Sequence, residues 1–215
     1  MTDKNLTEII CIIDRSGSMG SIQDDAIGGF NTFLKEQQKE SVDRCLLTYA
    51  QFDNEYELVH ECLPIEKVPP LDSGTYCPRG STSLLDAIGL TVASVGEQLS
   101  KTPEEKRPGA VVVVILTDGQ ENSSREYSKQ QVVEMIKTQT ENFKWEFVYL
   151  AANQDAIGEA HQFGIQAKNA ANFSCDSSGM LGMYGNLSKS VSSYRTTKTS
   201  SSLSVDDSVS KGSKS

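Results

Sequence analysis

The chain has few of the residues and segments that mark zinc-binding, secreted or membrane proteins. It has five cysteines but no Cys-x-x-Cys pair, and its two histidines, His60 and His161, are isolated, which argues against a zinc site. The odd cysteine count fits reduced thiols, and no apolar run is long enough to span a membrane. The N-terminus lacks a charged-then-apolar secretory pattern, so we expect a cytoplasmic protein.

Positive charge is also scarce. There are 20 Lys and Arg against 29 Asp and Glu, and the formal net charge is -9. This balance argues against nucleic acid or an anionic membrane as a partner. The 215 residues are enough for one domain with a buried core. We expect that single domain over residues 1–195 and a Ser-rich flexible tail over residues 196–215, because the tail has too few apolar residues to order itself.

Apolar runs alternate with amphipathic segments along the chain. A connection of three residues, 53–55, is too short for a parallel crossover, so the strands on either side of it should form a hairpin. The alternation predicts a doubly wound, Rossmann-like α/β fold with a mostly parallel central sheet, one antiparallel edge strand and helices on both faces. The predicted strands cover residues 6–13, 44–52, 56–63, 110–117, 145–151 and 172–175. The predicted helices cover residues 23–40, 83–99, a segment from 128, 154–163 and a closing helix at 180–194.

Oxygen-bearing side chains follow two of the strongest predicted strands. Residues 14–19 read Asp-Arg-Ser-Gly-Ser-Met, and alternate positions in this tight turn can converge on one point. A threonine stands where the second helix begins, and an aspartate ends the strand at 110–117. If the first and fourth strands are neighbours, these loops meet at the switch point of the sheet, where ligands bind. Oxygen ligands suit a hard divalent cation such as Mg²⁺. The five candidate ligands are Asp14, Ser16, Ser18, Thr82 and Asp118.

These three loops together resemble the von Willebrand factor A (VWA) domain. The metal-ion-dependent adhesion site of that family reads Asp-x-Ser-x-Ser, then Thr, then Asp, and all five positions are filled here in that order. The resemblance covers about residues 6–175, and the Asp-Arg-Ser-Gly-Ser-Met form is similar to the stand-alone bacterial and phage branch. It implies direct ligation of Mg²⁺ by Ser16 and Ser18, with Mn²⁺ or Ca²⁺ as alternatives. Asp14 and Asp118 would act largely through water, and Thr82 directly or through water.

The resemblance also implies what the site does. Mostly neutral direct ligands leave the cation with much of its charge, so a Glu or Asp of a protein partner can complete the coordination. We therefore expect a protein-binding module and not an enzyme. Arg15, Met19, Tyr76 and Arg79 border the site and are the residues that we expect to touch the partner, although Met19 could equally pack beneath its loop.

Other interpretations stay open from the sequence. Asp14 and Asp118 could simply cap turns, and Asp86 could either act on the metal through a bound water or be a solvated acid in the first turn of its helix. A strand-end Asp with Mg²⁺ also occurs in phosphoryl-transfer enzymes, but Asp-x-Ser replaces their Asp-x-Asp here. An adaptor subunit of a bacterial stress-response or chaperone-ATPase system, or of a phage–host system, is compatible with the binding module. The sequence does not indicate an oligomeric state.

Overall fold

A six-stranded sheet forms the centre of the structure, a computed structural model that describes residues 1–152 and 155–205. The strands are β1 (Asp3–Asp14), β2 (Arg44–Phe52), β3 (Tyr56–Pro64), β4 (Pro108–Thr117), β5 (Glu146–Ala152) and β6 (Ala170–Phe173). Their order is β3-β2-β1-β4-β5-β6, with β3 antiparallel to β2 at one edge and the other pairs parallel. The predicted fold class, including the hairpin and the antiparallel edge strand, is confirmed.

In the described part of the chain, five α-helices cover the two faces of this sheet: α1 (Gln23–Lys39), α2 (Leu84–Lys101), α3 (Lys129–Phe143), α4 (Ala156–Gln162) and α5 (Ser177–Thr197). Side chains on β1 alternate between the faces, so Ile9 and Cys11 pack in the same cluster as α1 and α5. Ile10 and Ile12 pack on the opposite face, in the cluster that contains residues of α2, α3 and α4. Both faces of the central strands are thus buried, which explains their continuous apolar runs.

The centre of the sheet is also the switch point of the chain. β1 and β4 are parallel neighbours, with Ile13 paired to Leu116, so both strands end at the same edge of the sheet. The chain then leaves β1 for α1 on one face and leaves β4 for α3 on the other face. In open α/β sheets ligands bind beside two such diverging connections, and the Asp14 and Asp118 loops lie there.

The C-terminal segment corrects one prediction. Residues up to Val205 are packed against the domain: Leu203 and Val205 are buried, and Val205 N donates to Lys168 O at 2.8 Å. Ser204 N also donates to the Ser190 hydroxyl of α5 at 2.7 Å. Two apolar residues at alternate positions are enough to anchor this Ser-rich stretch, so the expected flexible tail is wrong for residues 196–205. Residues 206–215 lie outside the described part of the chain.

Helix boundaries agree closely with the pattern-based predictions. The capping box at the start of α3 is present, with Ser128 and Gln131 each accepting from the other's backbone N–H. The predicted start of the fourth helix at Gln154 lies outside the described residues, and α4 is described from Ala156. No helix in residues 1–152 and 155–205 has the length and apolar character needed to cross a membrane.

Candidate metal centre

The first candidate ligands lie in the loop that follows β1. Asp14 is the last residue of the strand, and its Oδ1 accepts from Ser16 N at 2.7 Å, which turns the chain sharply. The chain continues as a 3₁₀ helix, Gly17–Ile22, which places Ser18 one step further along the same turn. The Ser16 and Ser18 hydroxyl oxygens are 3.1 Å apart. Three alternate oxygen-bearing side chains therefore point into one small volume, as their spacing predicted.

Asp118 brings the β4 loop into that volume. Its Oδ1 accepts from the Ser18 hydroxyl at 2.6 Å and lies 3.5 Å from the Ser16 hydroxyl. The preceding residue, Thr117, donates its hydroxyl to Asp14 Oδ2 at 2.6 Å. The ends of β1 and β4 are thus joined side chain to side chain across the switch point.

Thr82 reaches the site from the loop before α2. It is buried, and its hydroxyl lies against Gly119: a Cβ added to that glycine would be 2.8 Å from Thr82 Oγ1. Thr82 and Asn122 also exchange hydrogen bonds, from Thr82 N to Asn122 Oδ1 at 3.0 Å and from Asn122 N to Thr82 O at 3.1 Å. The structure therefore brings all five predicted ligand residues to one edge of the sheet.

Among the described residues, no Lys, Arg or His side chain forms an ion pair with either carboxyl group of the site. Asp14 is fully buried, and burial raises the pKa of its carboxyl to about 6, while hydrogen bonds from Thr117 and Ser16 offset part of that rise. Burial also raises the pKa of Asp118. Within the described residues, the hydrogen-bond donors to both carboxyl groups are neutral amides and hydroxyls. A cation at this point would relieve the cost of burying these charges.

The donor set fits a hard divalent cation. In residues 1–152 and 155–205, no three His, Cys, Asp or Glu side chains are grouped as a metal site, so any cation here must rely on hydroxyls. Ser16, Ser18, Thr82, Asp14 and Asp118 supply three hydroxyl oxygens and two carboxyl groups, all oxygen. Oxygen-only ligation suits Mg²⁺, Mn²⁺ and Ca²⁺ and does not suit a thiophilic metal.

Three of the four residues expected to touch a partner are buried beneath the site. Met19 is fully buried and packs in the core, and Tyr76 is buried with its hydroxyl donating to Asp14 O at 2.5 Å. The Arg15 side chain is only 8% exposed and is paired with Asp53. These three side chains support the loops, which corrects the expectation for Arg15 and Tyr76 and agrees with the alternative that Met19 packs beneath its loop. Arg79 is the exposed member, with 55% of its side chain accessible.

Sequence reasoning missed the groups that hold the loops in place. Asp86 is buried, so it is not the solvated first-turn acid that the sequence left open: its carboxylate accepts the backbone N–H groups of residues 125–127 at 2.7 to 2.9 Å. Glu121 accepts from Leu85 N at 2.9 Å and from Ser124 N at 2.8 Å. These acids tie the loop after β4 onto the first turn of α2, which keeps Thr82 next to Gly119. The sequence contains no signal for the contacts that Asp86 makes with residues 125–127 and Glu121 with Leu85, which span 36 to 41 positions.

Comparison with known proteins finds similarity in structure only. No protein-family model matches the chain, and no curated protein matches it in sequence. Among solved structures, proximal thread matrix protein 1 from the mussel byssus superposes on this chain with a TM-score of 0.60 at 14% identity. That structure is described with zinc in its MIDAS (metal-ion-dependent adhesion site) motif. The match covers 88% of this chain and 47% of that protein.

Two further solved structures share the architecture. A von Willebrand factor type A protein from Catenulispora acidiphila has a TM-score of 0.55 at 14% identity, covering 87% of this chain and 43% of that one. Manganese-loaded Plasmodium vivax TRAP protein has a TM-score of 0.51 at 14% identity, covering 83% and 72%. This chain spans about half the length of the mussel protein and of the Catenulispora acidiphila protein. Because identities this low carry the fold alone, the conclusion is structural: the chain has an α/β fold of the von Willebrand factor A type.

Proposed function

We propose that this chain is a non-catalytic protein-binding module whose binding depends on a divalent cation, Mg²⁺ in the first place and Mn²⁺ or Ca²⁺ as alternatives. The observation that carries the proposal is the convergence of three loops on one oxygen-lined point at the switch point of the sheet. Two solved structures of the same fold have metal-bound forms, one described with zinc in its MIDAS motif and one as manganese-loaded.

The chemistry of the donors favours binding over catalysis. Ser16, Ser18 and Thr82 are neutral ligands, so they would hold a cation without cancelling its charge. Asp14 and Asp118 would compensate part of that charge, and each is held by hydrogen bonds from hydroxyls or amides. When bound, the cation supplies a positive charge at the surface, and a Glu or Asp of a protein partner can complete its coordination.

The position of the site supports capture of a side chain from outside. Gly17, Ser18 and Gly80 are exposed at the rim, and the small side chains there leave the edge of the sheet open to a partner. Asp118 is partly exposed, whereas Asp14 is fully buried beneath it. A partner carboxylate would therefore approach from the Ser18 and Asp118 side.

Binding of the cation alone can be measured before any partner is known. Isothermal titration of the purified chain with MgCl₂ should show one site per chain. Ser18→Ala should weaken that binding because it removes a hydroxyl ligand. Ser81→Ala, which removes a hydroxyl next to Thr82 that the proposal does not use, is the matched control. Equal Mg²⁺ binding by wild type and Ser18→Ala would contradict the proposed ligand set.

Partner binding is tested by co-purification with tagged chain from the native cell, followed by elution with EDTA. The partner should be released by the chelator, and Asp14→Ala should fail to capture it. Binding that is indifferent to both treatments would overturn the proposal. The identity of the captured partner also tests two predictions from the sequence. One is an adaptor role in a stress-response, chaperone-ATPase or phage–host system, and the other is a cytoplasmic location. Turnover of a generic phosphate ester that is lost in Asp14→Asn would instead favour the phosphoryl-transfer alternative.

A further inference from the structure

A buried aspartate outside the ligand set lies between two of the metal loops. Asp53 follows β2 and its side chain is 0% exposed. One oxygen, Oδ2, accepts from Arg15 Nε and from Arg79 Nε, each at 2.9 Å. The other oxygen, Oδ1, accepts from Glu55 N at 2.7 Å and closes the β2–β3 turn. A single carboxylate thus holds one arginine from the Ser16 loop and one from the Thr82 loop.

Backbone hydrogen bonds extend this pairing to the ligands themselves. Arg79 N donates to Arg15 O at 2.8 Å, and Gly17 N donates to Gly80 O at 3.1 Å, so the first and second loops run against each other. Asp53 O accepts from Ser83 N at 2.9 Å, directly after Thr82. Arg15 stands between Asp14 and Ser16, so a shift of its side chain is transmitted to ligands on both sides.

We propose that Asp53 is a positioning residue for the metal centre: its carboxylate, through Arg15 and Arg79, sets the spacing between the Ser16–Ser18 hydroxyls and Thr82. This inference rests on the proposed function. Two guanidinium groups would repel each other across the loops without a shared anion, and the Arg15 side chain is too buried to be solvated instead. Glu57 pairs with Arg15 and Glu55 with Arg79, but each of these contacts only one arginine. Asp53 is the acid that joins the two loops.

Asp53→Asn tests the role with little change in shape. The amide oxygen can still accept from Glu55 N and keep the turn, while the amide NH₂ would face two guanidinium donors and lose both pairings. We expect Mg²⁺ affinity, measured by isothermal titration, to fall about 10- to 100-fold, the usual cost of losing a group that orients metal ligands. The melting temperature should fall as well, because the buried pairing with Arg15 and the partly exposed pairing with Arg79 are both lost.

Asp43→Asn is the matched control for that loss of stability. Asp43 is also buried and also pairs with two cations, Arg195 and Lys198, but it lies just before β2, at the opposite end of that strand from Asp53. Its replacement should lower the melting temperature while leaving Mg²⁺ affinity at the wild-type value. A merely structural role for Asp53 would make the two variants behave alike, with unchanged Mg²⁺ affinity in both.

Arg79→Ala provides a second variant that should fold normally, because this side chain is largely exposed. It removes one of the two pairings, so we expect a smaller loss of Mg²⁺ affinity than in Asp53→Asn and in the same direction. Wild-type Mg²⁺ affinity in Arg79→Ala and in folded Asp53→Asn would overturn the inference while leaving the proposed function intact. Failure of the wild-type chain to bind Mg²⁺ would instead overturn the proposed function.

Discussion

Replacing Asp14 by Asn should stabilise the metal-free protein while abolishing its response to Mg²⁺. Asp14 is a fully buried carboxyl group whose hydrogen-bond partners are neutral, and burial raises its pKa to about 6. The ionised form is therefore less favourable in the folded chain than in the unfolded chain at neutral pH. An asparagine of nearly the same shape carries no charge and avoids this cost.

The size of the effect follows from the pKa difference. A carboxyl pKa near 4 in the unfolded chain and about 6 in the folded chain lowers the free energy of unfolding by about 3 kcal/mol at pH 7. For a chain of this length that corresponds to a melting temperature roughly 6–12 °C lower. Asparagine can keep a hydrogen bond to each partner: its oxygen accepts from Ser16 N, and its NH₂ can donate to Thr117 Oγ1, whose own proton can then be donated to Gly119 O instead. Most of the 3 kcal/mol should therefore be recovered.

The assay is thermal unfolding of wild type and Asp14→Asn, in EDTA and in excess Mg²⁺, across pH 4 to 7. Because the folded pKa is raised, the cost in wild type is absent below the unfolded pKa, appears as the pH rises from about 4 to about 6, and is constant above that. The two melting temperatures in EDTA should thus converge near pH 4. At pH 7, Mg²⁺ at 100 times its Kd should stabilise wild type by about 2.7 kcal/mol and leave the variant unchanged.

Three results would contradict this prediction. If Asp14→Asn melts below wild type in EDTA at pH 7, the buried carboxylate is not a source of instability in the metal-free chain. If the difference between the two proteins does not depend on pH, the ionisation of Asp14 is not its cause. Stabilisation of the variant by Mg²⁺ would show that Asp14 is not needed for cation binding.

Two further predictions concern the packing around the site and the C-terminal segment. Gly119→Ala should weaken Mg²⁺ binding measured by titration, since the new methyl group would press on the Thr82 hydroxyl, whereas Gly20→Ala, whose Cβ would meet only Pro78 at 3.9 Å, should bind normally. Normal binding by Gly119→Ala would argue against Thr82 as a ligand. Leu203→Ala should lower the free energy of unfolding in urea by about 2–5 kcal/mol, because Leu203 is fully buried. Leu181→Ala, at an exposed position of α5, should change it by less than about 0.5 kcal/mol, and equal effects would mean that the segment is not part of the core.

Some features of the fold could be read from the sequence because they depend on local patterns. The three-residue connection at 53–55 required a hairpin, and the apolar runs of β1 and β4 required strands buried on both faces. The Ser-rich C-terminal segment was misjudged because its composition is that of a disordered chain. Leu203 and Val205 gain their stability from contacts with distant residues, and composition does not encode those contacts.

The residues around the candidate metal centre also show the difference between local patterns and contacts with distant residues. Arg15 and Tyr76 were expected at the surface because they neighbour the ligands in sequence, yet Arg15 turns inward to Asp53 and Tyr76 to the backbone of Asp14. Neither contact is local, since 38 and 62 positions separate the partners. The direction in which a loop side chain points depends on the hydrogen-bond partners that distant segments of the fold bring beside it.

The sequence by itself determined the five candidate ligands, because Asp14, Ser16, Ser18, Thr82 and Asp118 are specified by residue type, by spacing within one turn and by their places at strand and helix ends. Only the tertiary structure decided how those loops are held together. The Asp53 carboxylate between Arg15 and Arg79, and the Asp86 carboxylate under residues 125–127, join segments far apart in the chain. Such contacts depend on the strand order, which brings these segments together, and on burial, which removes each carboxylate from water so that it must accept from the protein groups beside it.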